Sequence, residues 1–166
     1  MTIQAKPSEE ALNAGVYAEL RRRLITGNIA PDHELSTRSL ATELGVSQTP
    51  VRDALSRLAA DGAVSIRSKR RVRVPQMTAD RFDDLLGCRL LLEPEAAALA
   101  LPHLRPTDVA RLRAIDTRLD AAIAEGDAAQ YMQANYDFHF TLYKSQPRRT
   151  LTQLIETLWL QFGPFM

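Results

Sequence analysis

Cysteine is almost absent from this sequence. With Cys88 alone, no disulfide can close within the chain, and a reducing cytoplasm is the expected setting. Cys88 itself reads as a small apolar residue on a helix. Histidine is scarce too: His33, His103 and His139 are the whole complement. No apolar run approaches the ~20 residues that a membrane-spanning helix needs. The opening MTIQAKPSEE lacks the basic-then-apolar order of a signal peptide. Neither a membrane partner nor export is therefore expected. No second cluster of histidines and carboxylates and no nucleophile motif is found, which argues against a metal-dependent hydrolase.

What is present is an ordinary globular composition, 45% hydrophobic and 25% charged. The net charge of +1 conceals an asymmetry. Residues 1–76 carry 12 Lys and Arg against 8 Asp and Glu, whereas residues 77–166 carry 9 against 12. A basic front half joined to an acidic back half points to a polyanionic partner for the front alone.

In the front half, Leu12, Val16, Leu20 and Leu24 recur every four positions, as on a core-facing helix. Ser36 can cap a second, short helix, with Leu35 and Leu40 placed as a hydrophobic staple. Gly45 suits the left-handed turn that ends it. Ser47 then stands as cap of a third helix, with Pro50 in the first turn. Val51, Ala54, Leu55, Leu58 and Ala59 form its apolar stripe, and Thr49, Arg52 and Ser56 a polar strip. A short helix, a tight glycine turn and a helix with a polar leading face make a helix-turn-helix.

Two short strands follow. Val64 and Ile66 alternate with Ser65 and Arg67, and Val72 and Val74 with Arg71 and Arg73, across a basic tip at Ser68-Lys69-Arg70. This is a two-stranded wing. The third helix can fill a major groove while the wing follows the backbone or minor groove. Arg52 can donate to a guanine edge, Ser47 and Thr49 can reach phosphates or bases, and Lys69, Arg70, Arg71 and Arg73 can displace counterions.

The run LSTRSLATELGVSQTPVRDALSRLAADGAVSI resembles the DNA-binding domain of the GntR family of regulators. The resemblance implies that Arg38, Ser47, Thr49 and Arg52, with the wing tip, contact operator DNA. Gln48 stands where that family commonly has a basic residue, which bears on base preference. Ser68-Lys69-Arg70 replaces a turn that usually contains glycine, which bears on how deeply the wing enters the groove.

Beyond Pro75 the pattern is wholly helical, and an all-helical bundle is expected over residues 77–166, so that the fold class is mainly α. Thr78 caps a first helix with Phe82, Leu85, Leu86, Leu90, Ala96, Ala97 and Ala100 inward; Pro94 should kink or break it. A second helix starts at Pro106-Thr107 and ends at Gly126. A third runs from Asp127 to about Tyr143. Thr150 and Gln153 have capping-box spacing for a fourth, with Leu151, Leu154, Ile155, Leu158, Trp159 and Phe162 inward.

Two constellations invite chemistry. Arg89 is flanked by Leu85, Leu86 and Leu90 and lies one turn before Glu93. It can close an intrahelical salt bridge or meet an anionic ligand inside the bundle. Asn135 and His139, four residues apart, share a face with Met132 and Leu142. Such a pair is either hydrogen-bonded in the core or supplies two metal ligands, and a metal needs further ones.

The stretches RLLLEPEAAALA, GDAAQYMQANYDFHFTLYKS and LIETLWLQFGP are similar to the ligand-binding FCD domain of the FadR subfamily. That resemblance implies a divalent metal such as zinc, ligated by Asn135 and His139 beside the carboxylate of a small organic acid. It also implies that Arg89 lines the effector cavity and that the protein works as a homodimer, usually a repressor, on a palindromic operator. Such domains add two histidines from later helices, and neither His33 nor His103 lies in a matching motif.

Overall fold

The structure, a computed structural model, describes residues 9–68 and 71–165. Its first helix, α1, spans Glu9–Ile25, with Val16, Leu20 and Leu24 buried as their spacing requires. Helices α2 (Thr37–Glu43) and α3 (Gln48–Ala60) follow, separated by the expected glycine turn. Strands β2 (Ser65–Ser68) and β3 (Arg71–Arg73) form the wing hairpin. They are joined by β1 (Glu34–Ser36), so the sheet has three strands in the order β1-β3-β2 rather than the two expected. Leu35 of β1 lies opposite Val72 of β3, and both are buried. A three-residue strand is too short for alternation to reveal it; it exists because Leu35 must turn inward before Ser36 caps α2. Ile66 departs from the expected apolar face and is 52% exposed, while Val64, Val72 and Val74 are buried.

The second half comprises α4 (Ala79–Ala100), α5 (Pro106–Glu125), α6 (Ala128–Tyr143) and α7 (Arg149–Phe162). Thr78 caps α4 by accepting from the Arg81 N–H, and Asp127 caps α6 through the Gln130 N–H. Gly126 ends α5 in the left-handed region at φ 68°. Pro94 does not break α4, which continues to Ala100 with the proline on an exposed position. Nor does the expected inward stripe hold throughout. Leu85, Ala96 and Ala100 are buried, whereas Phe82 and Leu90 are 39% and 65% exposed.

Helix α7 starts one residue before Thr150, and Thr150 does not cap it. Its first turn is held instead by buried Gln146, which donates to the Arg148 carbonyl and the Thr152 hydroxyl. Leu154, expected inward, is 52% exposed; Ile155, Trp159, Leu160 and Phe162 carry the burial. No helix among the described residues is long and apolar enough to cross a membrane.

One core runs through both halves. Trp159, Leu160 and Ile155 of α7 share a buried cluster with Val16, Leu20, Leu24 and Ile25 of α1. Gly163, just after α7, sits so close to α1 that a Cβ would lie 2.6 Å from the Ile25 Cα and the Leu24 carbonyl oxygen. Polar contacts complete the joint. The Gln161 amide donates to the Asp61 carbonyl, and Arg81 donates to the Gly62 carbonyl. Both acceptors lie at the C-terminal end of α3, so the bundle is tied directly to that helix.

Candidate DNA-reading surface and effector site

The turn between α2 and α3 sets the first surface. The Ser36 hydroxyl accepts the Ser39 N–H at 3.4 Å, as its position predicts. Gly45 takes φ 65°, and the Val46 N–H returns to the Ala41 carbonyl at 3.0 Å. Only a glycine adopts that conformation without strain. Ser47 occupies the cap position of α3 in extended geometry, yet its side chain makes no capping bond. Among the described residues its exposed hydroxyl has no hydrogen-bond partner.

Helix α3 is strongly two-faced. Val51, Ala54, Leu55 and Leu58 are buried, while Gln48, Thr49, Arg52 and Ser56 are exposed. Arg38 on α2 is exposed as well. Among the described residues, neither Arg38 nor Arg52 uses its guanidinium in a hydrogen bond or ion pair. An unpaired guanidinium on an exposed helix face keeps all five donors for an external acceptor. Arg71 on β3 is 70% exposed and pairs with Glu34 at 3.1 Å. Arg73 is held at the base of the wing, donating to the Asp32 carboxylate. Lys69 and Arg70 lie outside the described residues.

The second site is within the bundle. Arg89 Nε donates to Glu93 Oε1 at 2.6 Å, so the salt bridge that the one-turn spacing allows is made. Its guanidinium also lies 4.8 Å from the Trp159 ring centroid and 4.7 Å from that of Phe162. Glu93 is the hub of this cluster. It accepts from Trp159 Nε1 at 3.0 Å and from the Tyr143 hydroxyl at 2.8 Å. Tyr143 in turn meets His139 Nδ1 at 3.0 Å.

Burial lowers the His139 pKa from its ordinary value, reinforced by Arg89 and opposed by Glu93. Burial, then Glu93, raises the Tyr143 hydroxyl, which stays a neutral donor. Arg89 bonds Glu93 through its Nε, and among the described residues its two terminal nitrogens make no hydrogen bond.

Asn135 lies one turn before His139 on α6, and both are half-buried. Among the described residues no group of three His, Cys, Asp or Glu side chains could hold a metal. These residues alone therefore do not fit a divalent cation, and ligands beyond Asn135 and His139 are needed. Sequence reasoning placed Arg89, Glu93 and His139 but missed Tyr143 and Trp159 as their partners. The available signal was Tyr143 one helical turn after His139; the contact from Trp159, 66 residues after Glu93, left none.

Comparison with known proteins matches residues 12–74 to the gntR family of bacterial regulatory proteins and residues 84–166 to the FCD domain. The chain is 34% identical over 159 residues to the HTH-type transcriptional regulator McbR of Escherichia coli, covering 96% of this chain and 72% of that one. It is 28% identical over 160 residues to the gluconate operon transcriptional repressor of Bacillus subtilis, spanning 63% of its length. Among solved structures, E. coli McbR/YncC superposes with a TM-score of 0.89 at 35% identity, over 92% of this chain and 72% of that one. A GntR regulator from Rhodococcus sp. RHA1 gives 0.70 at 25% identity, over 90% of this chain and 71% of that one. With a winged helix-turn-helix matching the first model, a helical unit matching the second and regulators as relatives, the chain belongs to the GntR family and is a DNA-binding transcription regulator, not an enzyme.

Proposed function

We propose that this regulator binds a palindromic operator as a homodimer, acts as a repressor, and is controlled by a small organic acid held near Arg89. The observation that carries the DNA reading is the uncommitted, exposed guanidinium of Arg52 on the face of α3 opposite the core. Gln48, Thr49 and Arg52 project from the first turns of α3, where a recognition helix meets base edges. Ser47 and Arg38 flank that face and suit phosphate contacts, as do Arg71 and, beyond the described residues, Lys69 and Arg70. Repression is supported by the named repressor among the relatives.

The effector reading rests on the two uncommitted nitrogens of Arg89. A carboxylate there would compete with Glu93 for the guanidinium. Glu93 also holds Trp159 of α7, and the end of α7 bonds to the end of α3. A change at Arg89 thus has a contiguous route to the DNA-reading helix, through which a ligand could shift populations. A divalent metal such as zinc belongs to this reading only together with ligands additional to Asn135 and His139.

Selection of random duplexes by the purified protein tests the DNA reading. The expected result is an inverted repeat, with two chains per duplex by sedimentation. Recovery of single half-sites bound by one chain, or of no enriched sequence, would refute it.

A further inference from the structure

A cleft of about 490 Å³ lies between the two halves, walled by α1 and α3 on one side and α6 and α7 on the other. It is separate from the Arg89 cluster. Its volume is within the range of small-molecule sites. We propose that this cleft is a second ligand site, taking a small carboxylate that also carries a hydrogen-bond donor.

Among the described residues, two buried polar atoms of the cleft have no hydrogen-bond partner, Arg21 Nη2 and Gln133 Oε1. Arg21 donates to the Tyr136 hydroxyl through Nη1 and is ion-paired with Glu156 at 3.3 Å through Nη2, the latter outside hydrogen-bonding geometry. Buried polar atoms are rarely left so. One is a donor and the other an acceptor, so a single ligand that satisfies both must present an acceptor and a donor.

The acceptor is best an anion. Arg57, from α3, lies 3.8 Å over the Tyr17 ring and forms no ion pair among the described residues. Arg21, from α1, lines the same cleft as Arg57 and Tyr17. The acidic residues of the cleft already have partners. Tyr17 donates to Asp61 at 3.1 Å, and Tyr136 donates to Glu156 at 3.4 Å. Glu156 is also ion-paired with Arg21 at 3.3 Å and with Lys144 at 3.1 Å, so among the described residues Arg57 is the guanidinium of the cleft that an anion would match.

The contents of the cleft also bear on its effect. A ligand touching Arg57 and Gln133 would bridge α3 to α6 across the joint between the halves.

Calorimetric titration with malate, and with succinate as the analogue lacking the hydroxyl, tests the proposal on the intact chain. Malate should bind the wild type more tightly than succinate does. Arg57→Ala should weaken malate by about ten- to a hundredfold, the usual loss for a charged hydrogen bond. Gln133→Leu, which leaves both guanidiniums in place, should abolish the preference for malate. Absence of malate binding to the wild type would overturn the proposal. So would malate affinity left unchanged by Arg57→Ala, or a preference for malate over succinate that persists in Gln133→Leu.

Discussion

Glu19 shows how a single residue couples the helix-turn-helix to pH. It accepts from Arg22 and from Arg23, and Arg23 also reaches Glu43 on α2 at 2.6 Å. The hydrogen bond from Arg22, joined by that from Arg23, pulls the Glu19 carboxyl down to about 2 from its ordinary 4.5. An acid with a lowered folded-state pKa stabilises the fold above its unfolded value. That contribution is lost as pH falls from about 4.5 toward 2. Glu19→Gln should therefore leave a smaller loss of stability across this window than the wild type shows. Urea midpoints at pH 6, 4 and 3 would reveal it, and identical pH slopes would contradict it. The effect is modest because the group is partly solvated.

At this scale the sequence was legible where a residue works with its helical neighbours. Arg89 and Glu93 are one turn apart and do pair, and Ser36 does cap α2. It was illegible where partners come from remote segments. Nothing local signals that Trp159 and Tyr143 converge on Glu93, because that meeting depends on how α4, α6 and α7 pack.

Among the elements, α7 is the one whose position matters most. It fills the bundle with Ile155 and Trp159 while pressing Leu160 and Gly163 onto α1. The approach at Gly163 is backbone to backbone, with no flexible side chain to yield. Gly163→Ala should accordingly cost about 1–3 kcal/mol of stability through overpacking, read as a lower denaturant midpoint. An unchanged midpoint would mean that the joint between α1 and α7 is looser than its geometry indicates. Periodicity found every long helix, since each has an apolar stripe at helical spacing. It failed at β1, which is three residues long, and at the start of α7, where Gln146 supplants Thr150. It also assigned Phe82, Leu90 and Leu154 inward when their helices turn them outward. An apolar residue beside a stripe cannot be distinguished from one within it until the neighbouring helix is placed.

For the whole molecule, the decisive feature is continuity. The GntR and FCD segments are not independent beads, because one buried cluster spans both and Gln161 reaches the end of α3. Charge asymmetry along the chain anticipated a basic DNA-binding head followed by an acidic helical unit. The joint between them was not anticipated, since it is made by residues more than a hundred positions apart, such as Arg21 and Tyr136. On the function proposed above, an occupant of the bundle or the cleft would reach the DNA-reading helix through this joint.

The central claim is that α3 reads DNA through Arg52. Its most direct test is fluorescence anisotropy with the duplex recovered by selection, comparing wild type and Arg52→Ala over a range of salt concentrations. The account predicts that Arg52→Ala weakens the selected site by about 1–3 kcal/mol, while binding to unrelated duplex changes far less. Equal affinity of the two proteins for the selected site would contradict it and remove α3 as the reading element.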